Sequence, residues 1–114
     1  MVEETILKYL SEALDVPVRM ERSGNEPESY VLIEKTGSST TNHIESATLA
    51  IQSYATSMYA AAALNYRVKG AMKNSVNLPE ISCCDCNSDY NYTDTTKKKY
   101  RYQAVFDIVY LGGE

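Results

Sequence analysis

The chain has 114 residues, of which 44% are hydrophobic and 23% charged, and its net charge is −4. This length allows one domain with one modest core, and no apolar run approaches the roughly 20 residues that a membrane-spanning helix needs. The acidic balance argues against a protein whose main affinity is for phosphate backbones, since such proteins normally carry a basic stripe. Ten tyrosines, one phenylalanine and no tryptophan hint at protein contacts, because a tyrosine ring packs while its hydroxyl stays hydrated.

The first third of the chain predicts a helix and two strands. Apolar residues three and four apart predict an amphipathic helix over 2–14, and Glu3 and Glu4 complement its dipole. Pro17 excludes helical geometry just before itself and so ends the helix. "VPVRM" and "YVLIEKT" predict short strands on either side of the loop "RSGNEPES". Acids stand where a secretory signal would carry Lys or Arg, so we expect a folded, cytosolic segment. The predicted apolar stripe consists of Val2, Ile6, Leu10, Ala13 and Leu14.

The middle third predicts a strand that passes directly into a helix. In "HIESATLAIQSYA" the alternation predicts one packed set and one hydrated set. The pattern becomes helical near Ser53, Thr56 or Ser57 can cap the helix, and the stretch from Asn77 to Pro79 ends it. The packed strand set is Ala47, Leu49 and Ile51, the hydrated set is Ser46, Thr48, Ala50 and Gln52, and the helical stripe is Met58, Ala61, Leu64, Val68, Ala71 and Met72.

The last third predicts a long antiparallel hairpin that protrudes from the core, with "TDTTKKK" as its charged tip. The chain 1–114 is therefore predicted to form one α+β domain in the order helix, three strands, helix, two strands, with a mostly antiparallel sheet packed against both helices. In the first hairpin strand the packed set is Cys84, Cys86, Ser88, Tyr90 and Tyr92, and the hydrated set is Asp85, Asn87, Asp89 and Asn91. In the second strand the packed set is Tyr100, Tyr102, Ala104, Phe106, Ile108 and Tyr110.

Three cysteines within four residues, Cys83, Cys84 and Cys86, raise the question of a metal or redox site. Thiolates around one zinc lie about 3.8 Å apart, whereas residues two apart on a strand are separated by roughly 6.5 Å. Cys84 and Cys86 would need a local bend to share an ion, and His43 is the only histidine that could help. Small buried thiols are therefore favoured over a metal, redox or disulfide role, and an odd count of free cysteines fits a reducing compartment.

Catalytic constellations are also disfavoured. His43 begins a predicted strand with no Gly-x-Ser-x-Gly turn in the chain, which favours a solvated surface histidine over a catalytic base. Asp85, Asp89 and Asp94 fit a solvated strand better than an acid/base pair. The scattered glycines form no phosphate-binding loop. We therefore expect no enzyme, no metal and no cofactor.

The basic run Lys97, Lys98 and Lys99, followed by Arg101, is the one concentrated positive patch. This run fits a solvated hairpin tip whose lysines prevent unwanted pairing at the sheet edge. The alternative is a contact with an acidic partner surface. Helix, three strands and helix is also the order of double-stranded RNA-binding domains. Those domains place lysines at the start of the second helix, where this chain has Ser57, Met58, Tyr59 and four alanines. A small nucleic-acid or protein-binding module stays as an alternative.

The stretches "ATLAIQSYATSMYAAAALNYRVKGAM" and "KYRYQAVFDIVY", with the order of elements and the amphipathic first helix, resemble the tail terminator, or tail completion, proteins of long-tailed bacteriophages and prophages. The resemblance covers residues 2 to 111. It implies a sheet flanked by helices and a structural role without catalysis. The Cys- and Asn-rich fourth strand matches no feature of that family.

The resemblance further implies a ring of copies of this chain, commonly six, on the end of the tail tube. Such a ring stops tube polymerisation, gives the head connector a surface, and lets DNA pass through its lumen without sequence-specific binding. The expected location is the virion, after assembly in the bacterial cytoplasm, with no membrane contact. A neck or head-closure role is the neighbouring alternative. By position, the interface candidates lie in the loop 22–28 and at the hairpin tip, and they are Arg22, Glu26, Glu28, Asp94, Lys97, Lys98, Lys99 and Arg101.

Overall fold

The computed structural model describes residues 1–42 and 44–111, so the interpretation of His43 lies outside the described residues. The predicted α+β fold is confirmed, with two helices and a five-stranded, mostly antiparallel sheet in the predicted order. The elements are α1 (Val2–Ala13), β1 (Val18–Arg19), β2 (Tyr30–Thr41), β3 (Ile44–Ala55), α2 (Met58–Lys73), a 3-10 helix (Asn74–Asn77), β4 (Ile81–Asn91) and β5 (Tyr100–Leu111).

The strands lie in the order β1-β2-β3-β5-β4. Only the short β1–β2 pair is parallel, and it joins Val18 and Arg19 to Val31 and Leu32. The other three pairs are antiparallel. Strand β2 is longer than "YVLIEKT" predicts, because its pairing with β3 continues beyond a bulge at Thr36 as far as Thr41. Two hairpins, β2–β3 and β4–β5, therefore run almost the whole length of the sheet.

Both helices contribute to a single core on one face of the sheet, which we call the covered face. The stripe of α1 is buried at four positions, but Ala13 is exposed, because the helix ends there and Leu14, with an extended backbone, takes the next core position. The hydroxyl of Ser57 accepts the Ala60 amide at 3.1 Å, so Ser57 is the N-cap of α2 as predicted. The fully buried side chains of the core include Ile6, Leu10, Ile33, Leu49, Ile51, Val68, Met72, Phe106 and Ile108.

The fourth strand is extended, as predicted, but the predicted assignment of its side chains to the packed and hydrated faces is wrong. Register shifts between Ile81 and Cys83 and between Cys86 and Ser88 add extra residues to β4. Each extra residue reverses the alternation, because side chains point to opposite faces with a period of two. Beyond Asn87 the odd-numbered residues therefore face the helices. Asp89, expected to be hydrated, accepts hydrogen bonds from Asn65 and Lys69 of α2.

Two further predictions about burial need correction. Ala50, assigned to the hydrated set, is 3% exposed, because its short side chain lies between the longer Glu34 and Val105 of the neighbouring strands. Among the cysteines, Cys84 packs against the core, whereas Cys86 is exposed on the edge strand. The expectation of small buried thiols therefore holds for Cys84 and is wrong for Cys86.

In the described part of the chain, neither helix has the length and apolar character required to cross a membrane.

Candidate functional site: the open face of the sheet

Neither helix of the described residues packs on the second face of the sheet, which we call the open face, and yet several of its side chains are buried. Tyr30 of β2 and Tyr54 of β3 are only 5% and 4% exposed. Their rings stack with centroids 4.5 Å apart and planes 6° from parallel. Together with Leu32 they form a small second cluster. Stacked aromatic side chains thus supply part of the cover that a third helix would otherwise give.

Arg101, the first arginine of β5, extends this cluster across the sheet. Its guanidinium lies 5.6 Å from the ring centre of Tyr54 and 4.4 Å from that of Tyr92. It also donates hydrogen bonds to the Tyr54 hydroxyl at 2.8 Å and to the Tyr92 carbonyl at 2.7 Å. The planar guanidinium is therefore held between two rings, a geometry that a lysine ammonium cannot reproduce.

A chain of hydrogen bonds, the polar ladder, crosses the open face from Tyr54 to Tyr90. The Tyr54 hydroxyl donates to Gln52 Oε1 at 2.8 Å. Gln52 Nε2 donates to Gln103 Oε1 at 2.9 Å, and Gln103 Nε2 donates to the Tyr90 hydroxyl. The first contact lies within β3, and the two contacts of Gln103 link side chains at the same height on strands β3, β5 and β4. The ladder gives this face a fixed pattern of polar groups.

The loop 22–28 folds over one end of the open face. Arg22 Nε lies 3.3 Å from Glu26 Oε1, and its guanidinium lies 6.0 Å from the Tyr54 ring centre. Burial opposes ionisation of Glu26, but hydrogen bonds from Arg22, the Gly24 backbone and Ser23 outweigh it and lower the pKa of Glu26. Burial raises the pKa of Tyr30 beneath the loop, with the neighbouring Tyr54 adding to the effect.

The hairpin tip is an ordered turn. Asp94 and Lys99 exchange backbone hydrogen bonds of 3.2 and 3.1 Å, and Asp94 Oδ1 accepts the amides of Thr96 and Lys97. Lys98 adopts a left-handed backbone with φ of 53°. Asp94 therefore shapes the turn, while Lys97 and Lys98 are exposed to solvent and Lys99 is half-buried.

The structure brings the two predicted interface segments together. A shallow cavity of about 310 Å³ lies between them, with Glu26 and Glu28 on the loop side, Lys98 and Lys99 on the tip side, and Tyr30 and Tyr54 among its other lining residues. Arg22 and Arg101 both lie against Tyr54 beside it. We call this end of the open face the tip site. Its charges are mixed, and its floor is aromatic.

The opposite half of the open face is acidic. Asp107 accepts hydrogen bonds from Thr48 at 3.0 Å and Asn87 at 2.9 Å, and it stands directly opposite Asp85. The Cys83 thiol donates to Asp85 at 3.3 Å, and this bond raises the pKa of Cys83. Burial raises the pKa of Cys84 and of Cys86, so none of the three thiols is activated as a nucleophile. Within residues 1–42 and 44–111, no three His, Cys, Asp or Glu side chains are placed to share a metal ion.

The sequence reasoning named the charged residues of the tip site and missed the side chains that support them. Tyr30, Tyr54 and Tyr92 form its floor, and Gln52 and Gln103 lie behind it. The available signal was the abundance of tyrosine and the two glutamines in otherwise apolar strands. A comparison of the chain with protein-family models finds no match, and a search of the curated proteins finds no significant relative.

Proposed function

We propose that this protein is a structural component of a long-tailed phage or prophage virion, a tail terminator. In this role it forms a ring, of about six copies, on the end of the tail tube, ends tube polymerisation and offers the head connector a docking surface. The ring assembles in the bacterial cytoplasm and lets DNA pass through its lumen.

The observation that carries the proposal is the pair of open sheet edges. β1 pairs only with Val31 and Leu32, so the described part of β2 from Ile33 to Thr41 has no neighbour on its outer side. At the other edge, β5 is the one described strand that pairs with β4. Unpaired strand edges are templates for another chain. Since the two edges differ, pairing one with the other in a second copy gives a head-to-tail contact, and such contacts close into a ring where the rotation between copies allows it and otherwise continue as a filament.

The tip site supports the same role by a second route. It places exposed lysines, glutamates and a rigid aromatic floor at one end of the long molecule. Tyr and Arg are enriched at protein interfaces, and a rim of both charge signs selects a partner by complementarity. The acidic net charge of the chain also suits a ring that surrounds DNA without holding it.

A test combines native mass spectrometry with electron microscopy. When it is mixed with tail tubes of the phage that encodes it, the purified chain should form rings of one size that cap tube ends. Lys98→Glu, an exposed change at the tip, should reduce tube capping about tenfold, because it reverses one charge of the rim. Monomers at every concentration, with uncapped tubes, contradict the proposal.

A matched control makes the result specific. Lys8→Glu makes the same charge change on the exposed side of α1, away from the tip site. It should leave capping unchanged. If both variants lose capping equally, the tip site is not the contact and the loss reflects net charge. Capping of connectors but not of tubes would assign the chain to the neighbouring head-closure role.

A further inference from the structure

The outer face of α2 carries an aromatic stripe that nothing in the described chain covers. Tyr59 and Tyr66 are each 76% exposed, the highest values among the large hydrophobic side chains. Exposed Ala63 and Gly70 alternate with them along the helix. The spacings of four, three and four place all four residues on one side, opposite the buried stripe. We call this set the α2 seam.

Gly70 has no evident role within its own chain. It lies inside a helix of 16 residues, where glycine is less favourable than alanine because it loses more backbone freedom on folding. A Cβ built on Gly70 meets no atom within 4 Å, so no neighbour in the described structure requires its absence. A glycine at this exposed position leaves room for the close approach of another surface.

The charges beside the seam are already paired within the chain. Arg67 binds Asp15, and Lys69 Nζ lies 3.1 Å from Asp89. The seam consists of tyrosine, alanine and glycine residues, none of which carries a charge. A neutral partner surface can therefore approach the seam without bringing unpaired like charges together. A second α2 seam is such a neutral surface.

We propose that the occupant of the α2 seam is the α2 seam of a second copy, packed antiparallel about a twofold axis. An axis between Leu64 and Asn65 places Tyr59 opposite the partner copy's position 70 and Tyr66 opposite its position 63. Both tyrosines of each copy then fill the space left by a glycine and an alanine. Alternating large and small residues in this way lets facing helices interdigitate.

The size of the seam sets the strength of the contact. Four tyrosine side chains at this exposure remove on the order of 600 Å² from water, about half of the roughly 1,200 Å² at the lower limit of stable interfaces. Flanking helix residues add to this area. The dimer is therefore weak and reversible, with a dissociation constant in the micromolar to millimolar range. It goes beyond the proposed ring, whose contacts use the sheet edges and the tip site.

Sedimentation velocity of the full chain, from about 1 µM to 1 mM, tests the proposal. The parent should show a monomer–dimer equilibrium. Gly70→Ala should weaken dimerisation at least tenfold while raising the midpoint of monomer unfolding, because it improves helix propensity and fills the seam. A residue with only a structural role would change the stability alone. Tyr66→Ala should weaken the dimer to a similar degree.

Ser11→Ala is the matched control. Ser11 is exposed on α1, outside the α2 seam and the open sheet edges, and the change also improves helix propensity. This variant should leave dimerisation unchanged. A chain that stays monomeric to 1 mM overturns the proposal, and so does a dimer unaffected by both seam variants. Loss of tube capping in Lys98→Glu with dimers retained supports the seam and keeps the two contacts distinct. Tube binding that requires Tyr66 in a chain without dimers overturns the two-copy assignment.

Discussion

The two faces of the sheet are built from the same strands and held by different forces. On the covered face, Phe106 and its neighbours are buried beneath two helices and interact by apolar packing. On the open face, Tyr54 and Gln103 reach similar burial without a helix above them. There the cover comes from stacked rings, a guanidinium and the polar ladder.

Burial on the open face therefore depends on the direction and distance of individual contacts as well as on the apolar area that is covered. Apolar packing is not directional, so a covered face tolerates changes that preserve volume. Hydrogen bonds on a half-buried surface are directional, and an unpaired partner costs more than the bond contributes. The open face is therefore stable only while each member of the ladder has its neighbour, and it stays available as a recognition surface.

The largest expected effect lies on the covered face. Phe106→Ala should lower the free energy of unfolding by about 3–5 kcal/mol, because it removes a large, fully buried ring and leaves a cavity. Val105→Ala, at the adjacent position on the open face, should cost only about 1 kcal/mol. Urea unfolding of both variants measures the contrast. Equal losses would mean that the two faces contribute alike.

A medium effect is expected on the polar ladder. Gln103→Ala should cost about 1–3 kcal/mol, because it leaves the Gln52 amide and the Tyr90 hydroxyl without their partner. The double change Gln52→Leu with Gln103→Leu removes both amides and fills their volume, so it should cost less than the single change. Urea unfolding again gives the values. If the double variant is the less stable one, apolar packing does not substitute for the ladder.

The smallest effect is expected at high pH. The pKa of Tyr30 is raised in the folded chain by burial and by Tyr54, from an ordinary value of 10.0. A raised pKa means that the stabilising contribution is present below pH 10 and is lost as the pH rises through the folded value. Tyr30→Phe should therefore lose less stability than the parent between about pH 9 and pH 11. Unfolding at about pH 7 provides the reference, since the phenol is protonated there in both states. If the free energies of unfolding of parent and variant changed equally with pH across this range, Tyr30 would be in contact with water in the folded chain.

Sequence patterns predicted the elements well because each has a clear period. The packed set of β3, the centre of the packed set of β5 and the helical stripe from Ala61 to Met72 were correct, since single strands and helices express their own periodicity. The bulge at Asn87 could not be read from the sequence, because it depends on pairing with β5. Burial of Tyr54 likewise depends on Arg22 and Tyr30, which are distant along the chain. The charged members of the tip site were named in advance from a resemblance, and their aromatic floor was not.

The extra residue at Asn87 divides β4, from Cys83 onward, into two halves. Even-numbered side chains face the helices in the first half, and odd-numbered side chains face them in the second. Before it, even-numbered positions such as Cys84 and Cys86 share the helix side, and after it Asp89 does. Deleting this single residue would remove the bulge and place Ser88 directly after Cys86, so that Asp89 would still face α2 and Tyr90 would still lie on the open face. A one-residue deletion at Asn87 should therefore be tolerated better than one in the regularly paired β3 or β5, where no extra residue can absorb it.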